Sequence, residues 1–205
     1  MRLPWLDGKV FRVFFGLMCL PIMGACSSER QFQWTEDVKL SDGQMIVVQR
    51  SEEYRRVMDV GAGFQRGWLF QKAGISAELP APISRKVVWE GSLSPLVLDI
   101  QPDSAVYLVC NVITGASQIE WKVPDNEFYV VFRLTDKGWQ RVPLSELPLS
   151  IRPNLVPNGY GLFIKREAHS GIHVNLEFKS ELISSFPASD QVRTIIRLQM
   201  PGIKK

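Results

Sequence analysis

Between Trp34 and Met200 the chain is cut by Pro, Gly and Asp into short β-prone runs, and this punctuation limits its fold more than any other feature. Strands are expected at Lys86–Glu90, Leu96–Ile100, Ala105–Ile113, Trp121–Val123, Glu127–Leu134, Trp139–Val142, Leu162–Lys165, Ile172–Phe178 and Val192–Met200. Residues 143–158 carry Pro143, Pro148, Pro153 and Pro157, which interrupt regular structure. A short helix is expected over Lys179–Phe186. The pattern predicts a mainly β fold, an antiparallel β-sandwich or open barrel with one or two short helices.

Two hairpins are marked by their turn chemistry. Asp42-Gly43 stands between two β-prone runs, which suits a two-residue type I′ loop. That loop would pair Leu40 with Met45 and Val38 with Val47, placing all four on the core face. Asp136-Lys137-Gly138 turns the second hairpin, with Tyr129, Val131 and Arg133 on one side and Phe128, Val130, Phe132 and Leu134 on the other. Residues 51–58 read as a helical turn or a continued strand, 59–67 as a glycine-rich loop, and Trp68-Leu69-Phe70 as the start of a short strand.

The N-terminus is a separate unit. Arg2, Lys9 and Arg12 precede the uncharged stretch VFFGLMCLPIMGA at 13–25, which has the layout of a secretory signal. It is shorter than the roughly 20 apolar residues a spanning helix needs. The junction Met23-Gly24-Ala25-Cys26 resembles a bacterial lipobox: a large apolar residue, two small ones and a cysteine whose thiol accepts diacylglycerol. The resemblance implies a removed signal at 1–25, a lipidated tether at 26–33 anchored through Cys26, and one β-rich domain at 34–205. Ser27 rather than Asp after the cysteine implies an outer-membrane address facing the periplasm.

Charge and cysteine usage fit that reading. The net charge of +3 falls by two when Arg2, Lys9, Arg12 and Asp7 leave with the signal, and no basic run of five follows. Nucleic acid is therefore not an expected partner. Cys19 lies in the signal and Cys26 would be acylated, so Cys110 has no disulfide partner. It sits in the apolar run Ala105-Val106-Tyr107-Leu108-Val109-Cys110 and reads as a buried hydrophobe.

Candidate chemistry is sparse. His169 and His173 are the only histidines, and Ser170 stands where a His-Glu-x-x-His zinc motif needs Glu. Gly61-Ala62-Gly63-Phe64-Gln65-Arg66-Gly67 misses the dinucleotide fingerprint by one residue. Glu36-Asp37 and Glu52-Glu53 are adjacent pairs, which on strands point to opposite faces. Trp34, Trp68, Trp89, Trp121 and Trp139 suit a β core with the indole N–H bonded at its edge. No residue set calls for a cofactor or a metal.

The segment Trp34-x-Glu36-Asp37-Val38-x-Leu40-x-Asp42-Gly43, the strand at Ile46–Arg50 and the stretch Gly138–Leu144 are similar to parts of small uncharacterised proteobacterial proteins and lipoproteins. That resemblance lends no catalytic residues. The functional expectation is a non-enzymatic, membrane-anchored lipoprotein that binds an envelope protein or peptidoglycan. Two alternatives stand beside it: an envelope hydrolase using His169 or His173 with a nearby carboxylate, and an assembly or sensor factor that docks a protein.

Overall fold

A computed structural model describes residues 29–59, 65–157, 171–185 and 194–196. Its strands are β1 (Glu29–Lys39), β2 (Met45–Asp59), β3 (Gln65–Glu78), β4 (Lys86–Gly91), β5 (Ser94–Ile100), β6 (Val106–Asn111), β7 (Tyr129–Thr135), β8 (Gly138–Val142) and β9 (Ile172–Val174). Helices α1 (Gly115–Glu120) and α2 (Leu176–Ser184) complete the regular structure. One sheet runs β4-β3-β2-β1-β9 and the other β5-β6-β7-β8. All pairs are antiparallel except β1 with β9. The fold is the mainly β, two-sheet arrangement that the punctuation of the sequence predicts.

The main core lies between the sheets. Val38, Leu40, Ile46, Val48, Ile75, Ala77, Val87 and Trp89 of the first sheet meet Leu98, Val106, Leu108, Cys110, Val130 and Phe132 of the second. The second sheet is also buried on its other face, where Val97, Tyr107, Val109, Tyr129 and Val131 pack on Leu147, Ile151 and Ile195. Every residue of β5 and β6 is therefore buried, which explains their near-continuous apolar sequence. The Pro-rich segment supplies that second cover. It also closes the free edge of β5, because Asn154 accepts from the Leu98 N–H at 3.1 Å and donates to the Leu98 and Lys39 carbonyls.

Several sequence expectations are corrected. In the first hairpin Lys39 pairs with Met45 and Val38 with Ile46, one residue away from the expected register. The loop is longer because Leu40 donates to the Gln44 carbonyl, Gly43 takes φ +87°, and Asp42 accepts from Gln44. A slip of one residue exchanges faces: Met45 and Val47 are exposed, and Ile46 and Val48 fill the core. Of the two readings for 51–58 the continued strand holds, as part of β2, whereas β3 runs far beyond Phe70. A register shift near Glu53, where Gln71 is left without a partner, lets these long strands stay paired. Strand rather than tether begins at Glu29.

Where a strand was expected at Trp121–Val123, the chain forms α1 and its C-terminal turn. Thr114 caps that helix by accepting from Ser117, and Trp121 donates to the Ser117 carbonyl. Only Ile172–Val174 of the expected strand at 172–178 is extended, since Asn175 caps α2 through its bond from Phe178. Of the strand expected at Val192–Met200, only Thr194–Ile196 is described, and it is not strand. Residues 162–165, and Gly61, Ala62, Gly63 and His169, lie outside the described residues, as do Cys26 and the rest of the N-terminal segment.

Candidate functional site

From Phe32 to Lys39 and from Met45 to Arg55, β1 and β2 alternate, with even-numbered residues inward and odd-numbered residues outward. Both adjacent carboxylate pairs divide as expected: Glu36 and Glu52 are buried, whereas Asp37 and Glu53 face outward. The two faces of the first sheet consequently carry different chemistry.

Inward, Glu36 is the centre of a buried ionic cluster. Its Oε1 accepts from Arg50 Nη1 at 2.7 Å, and its Oε2 accepts from Lys179 Nζ at 2.8 Å and from the Val156 backbone N–H at 2.9 Å. Arg50 also donates to the Pro95 carbonyl and lies over the Trp34 ring, 5.1 Å from its centroid. Lys179 further donates to the carbonyls of Asn154 and Asp37. Burial pulls the Lys179 ammonium below its ordinary range, and the Glu36 carboxylate offsets part of that shift. This cluster ties β1, β2, α2 and the Pro-rich segment together. With its charges so closely bonded, it is a structural clamp rather than a reactive site.

Outward, the sheet forms a groove of about 440 Å³. Two cross-strand rows floor it. One runs Gln33, Ser51, Gly74, Glu90, and the other runs Thr35, Gln49, Ser76, Val88. Gly74 has a structural reason: a Cβ there would stand 2.5 Å from Ser51 Oγ, so only glycine leaves that hydroxyl its place. At one end Lys72 bonds Glu90 at 2.7 Å and Glu53 at 3.3 Å, which raises the Lys72 pKa above its ordinary value. The floor is mostly amide and hydroxyl, with the exposed Val88 side chain at one end and the charges of Glu90 and Lys72 at the rim.

The other end holds the only described histidine. β9 pairs with β1 so that His173 lies beside Thr35, and Thr35 Oγ1 is 2.9 Å from His173 Nδ1. His173 Nε2 is 3.3 Å from Asp37 Oδ1. The structure thus brings His173 to a carboxylate and a hydroxyl, which spacing in the sequence could not show, because 138 residues separate Thr35 from His173. A hydroxyl, an imidazole and a carboxylate in contact are the parts of a base-activated nucleophile. Two features weaken that role. The histidine side chain is about half exposed, and Thr35 sits in a central strand whose backbone is committed to neighbours on both sides. A nucleophile elbow instead leaves backbone N–H groups free to hold an oxyanion.

The tryptophans serve the core more than the groove. Trp34 and Trp89 are buried, and Trp121 and Trp139 donate their indole N–H groups to Ser92 Oγ and the Val88 carbonyl, both at 2.9 Å. Cys110 is fully buried, and desolvation pushes its thiol well above the ordinary range. Among the described residues no group of three or more His, Cys, Asp or Glu could hold a metal ion, and no helix is long and apolar enough to cross a membrane.

No protein-family model matches this chain, and no curated protein or solved structure matches it.

Proposed function

We propose that the chain is a lipoprotein of the bacterial envelope, anchored through Cys26 at the outer membrane and facing the periplasm, whose β-sandwich binds rather than converts its ligand. The observation that carries this reading is the uncharged stretch at 13–25 closed by Met23-Gly24-Ala25-Cys26, with a packed β domain starting only three residues later. The test is the intact mass of the mature protein taken from membranes. Residues 26–205 carrying diacylglycerol and a further acyl chain are expected, and Cys26→Ala should lose both the lipid and membrane retention. A native mass without lipid would remove the anchor.

Peptidoglycan is the ligand class that best suits the outer groove. Its strands offer hydroxyl and amide groups, and Gln33, Gln49, Ser51 and Ser76 offer the same groups in return. Strands spaced about 4.8 Å apart place successive side chains at close to the repeat of a sugar chain laid across the sheet. Co-sedimentation with insoluble peptidoglycan is expected, and Gln33→Ala with Gln49→Ala should abolish it. Equal retention of that variant would exclude this surface.

The contact of Thr35, His173 and Asp37 favours a second reading, an envelope hydrolase. Under it, Thr35→Ala and His173→Ala would each remove turnover of wall fragments or simple esters. Unchanged turnover in both variants would leave these residues as part of a binding rim.

A further inference from the structure

The end of the first sheet nearest the proposed anchor is built differently from the rest of it. There β1, β2 and β3 extend as a three-stranded ribbon, with Glu29 opposite Arg55, Arg30 opposite Tyr54, and Arg56 opposite Trp68. The ribbon has its own small core of Tyr54, Phe70 and Ala73, with Phe32 and Trp68 packed against it. Phe32 and Phe70 both meet the Tyr54 ring edge-on at 5.7 Å. Arg30 lies over Trp68, 4.4 Å from the ring centroid. The ribbon is therefore a firm platform and not a frayed end.

Its surface combines cationic and apolar groups. Arg30, Arg55 and Arg56 are exposed, and none has an ion-pair partner among the described residues. The acids further along the same strands are engaged: Glu53 with Lys72, and Glu52 with the Tyr54 hydroxyl at 2.6 Å. Leu69 is 40% exposed on the face that carries Arg55, and Trp68 is half-buried on the face that carries Arg56. Arginine with tryptophan and leucine is the composition that settles into the headgroup layer of an anionic bilayer.

Chain length fixes where this surface stands. From Cys26 to Glu29 there are three Cα–Cα steps of about 3.8 Å, so the ribbon cannot be farther than roughly 11 Å from the acylated residue. The opposite end of β1 is about 33 Å away along an eleven-residue strand. We infer that the ribbon end carrying Arg30, Arg55, Arg56, Trp68 and Leu69 docks on anionic phospholipid. This rests on the anchor at Cys26 for its orientation. Docking would hold the domain against the membrane instead of leaving it to swing on its tether, with the outer groove held at a set height above the surface.

The test uses the lipidated mature protein reconstituted into vesicles of phosphatidylcholine alone or with about one quarter phosphatidylglycerol. An environment-sensitive fluorophore is placed at Leu69→Cys, since native Cys110 is fully buried. A control label at Asp103→Cys sits in the turn after β5, whose end is tied to the far end of β1 by the Ser41 N–H donating to Asp99. A blue shift is expected at position 69 in the anionic vesicles only, and none at 103. Arg56→Glu and, as a second variant on the other face, Arg55→Glu should each remove most of it, and added salt should reverse it. The same emission at 69 in both vesicle types would overturn the inference, as would a shift that survives both variants. If the intact mass shows no lipid, the anchor reading fails separately. The unanchored protein mixed with the same vesicles then decides the docking alone, and no shift there overturns it.

Discussion

Glu36 and Arg50 face each other across the β1–β2 ladder at 2.7 Å, both with side chains wholly withdrawn from solvent. Lys179 completes the charge arrangement from α2. Removing the carboxylate leaves two buried cations against each other. Glu36→Ala is therefore expected to destabilise the domain by roughly 3–5 kcal/mol. The triple replacement Glu36→Leu, Arg50→Met and Lys179→Met should recover much of that loss, because no charge is then left unpaired. Urea unfolding of the single and triple variants checks both outcomes. A single variant as stable as the parent would mean that the cluster is hydrated in solution.

Lys179 makes stability depend on pH with a definite sign. Its pKa is lowered on folding, so between that lowered value and the ordinary 10.5 the unfolded chain binds more protons than the folded one. Stability from this group therefore rises as pH climbs through that interval. Lys72 acts the other way and later: its raised pKa gives stability that is present below 10.5 and lost only as pH passes the folded value. Urea midpoints measured up to pH 10.5 should show an upward contribution that Lys179→Met abolishes. An identical pH profile in the variant would contradict the assignment.

Cys110 should be inert in the folded protein. It is fully buried in the core between the sheets, and its thiol is held protonated by desolvation. Maleimide or disulfide reagents at pH 8 are expected to label it only after denaturant is added. Rapid labelling of the native protein would show that the inter-sheet core opens.

Gly91→Ala tests the packing around the edge of α1. A Cβ at Gly91 would stand 2.9 Å and 3.1 Å from atoms of the Trp89 ring and 3.4 Å from Trp121. Trp89 and Trp121 both pack on Phe132, at 5.8 and 5.4 Å between centroids, so neither ring has room to retreat. A loss of about 1–3 kcal/mol is expected in thermal or urea unfolding.

The sequence was most legible where local chemistry decides structure. Strands β4 to β8 stand close to their expected positions because each is a short apolar run bounded by Pro, Gly or Asp, as at Gln101–Ser104 and Asp136–Gly138. It was least legible where a distant contact overrides local preference. The charged run at 51–58 continues β2 because Tyr54, Phe70 and Ala73 form a core across the ladder, a pairing that no local signal announces. The register of the first hairpin depended on Asp42 and Ser41 bonding to Gln44 and Asp99, which lengthens the loop. The candidate site was legible only in part. His173 stood out as a titratable group, but its partners Thr35 and Asp37 come from the other end of the chain. The groove was not foreseen, because Gln33, Thr35, Gln49, Ser51 and Ser76 look like ordinary solvent-facing alternation until three strands place them side by side.

The parallel pairing of β1 with β9 sets a condition on how this protein can be made. The first strand to be synthesised keeps an open edge until residues 172–174 arrive, and Glu36 lacks Lys179 until the helix after them exists. Contacts this far apart in sequence form slowly and late. An emerging chain therefore has no complete fold to adopt while its C-terminal part is missing. On the export route proposed above, that delay would keep the chain open until it has crossed a translocation pore.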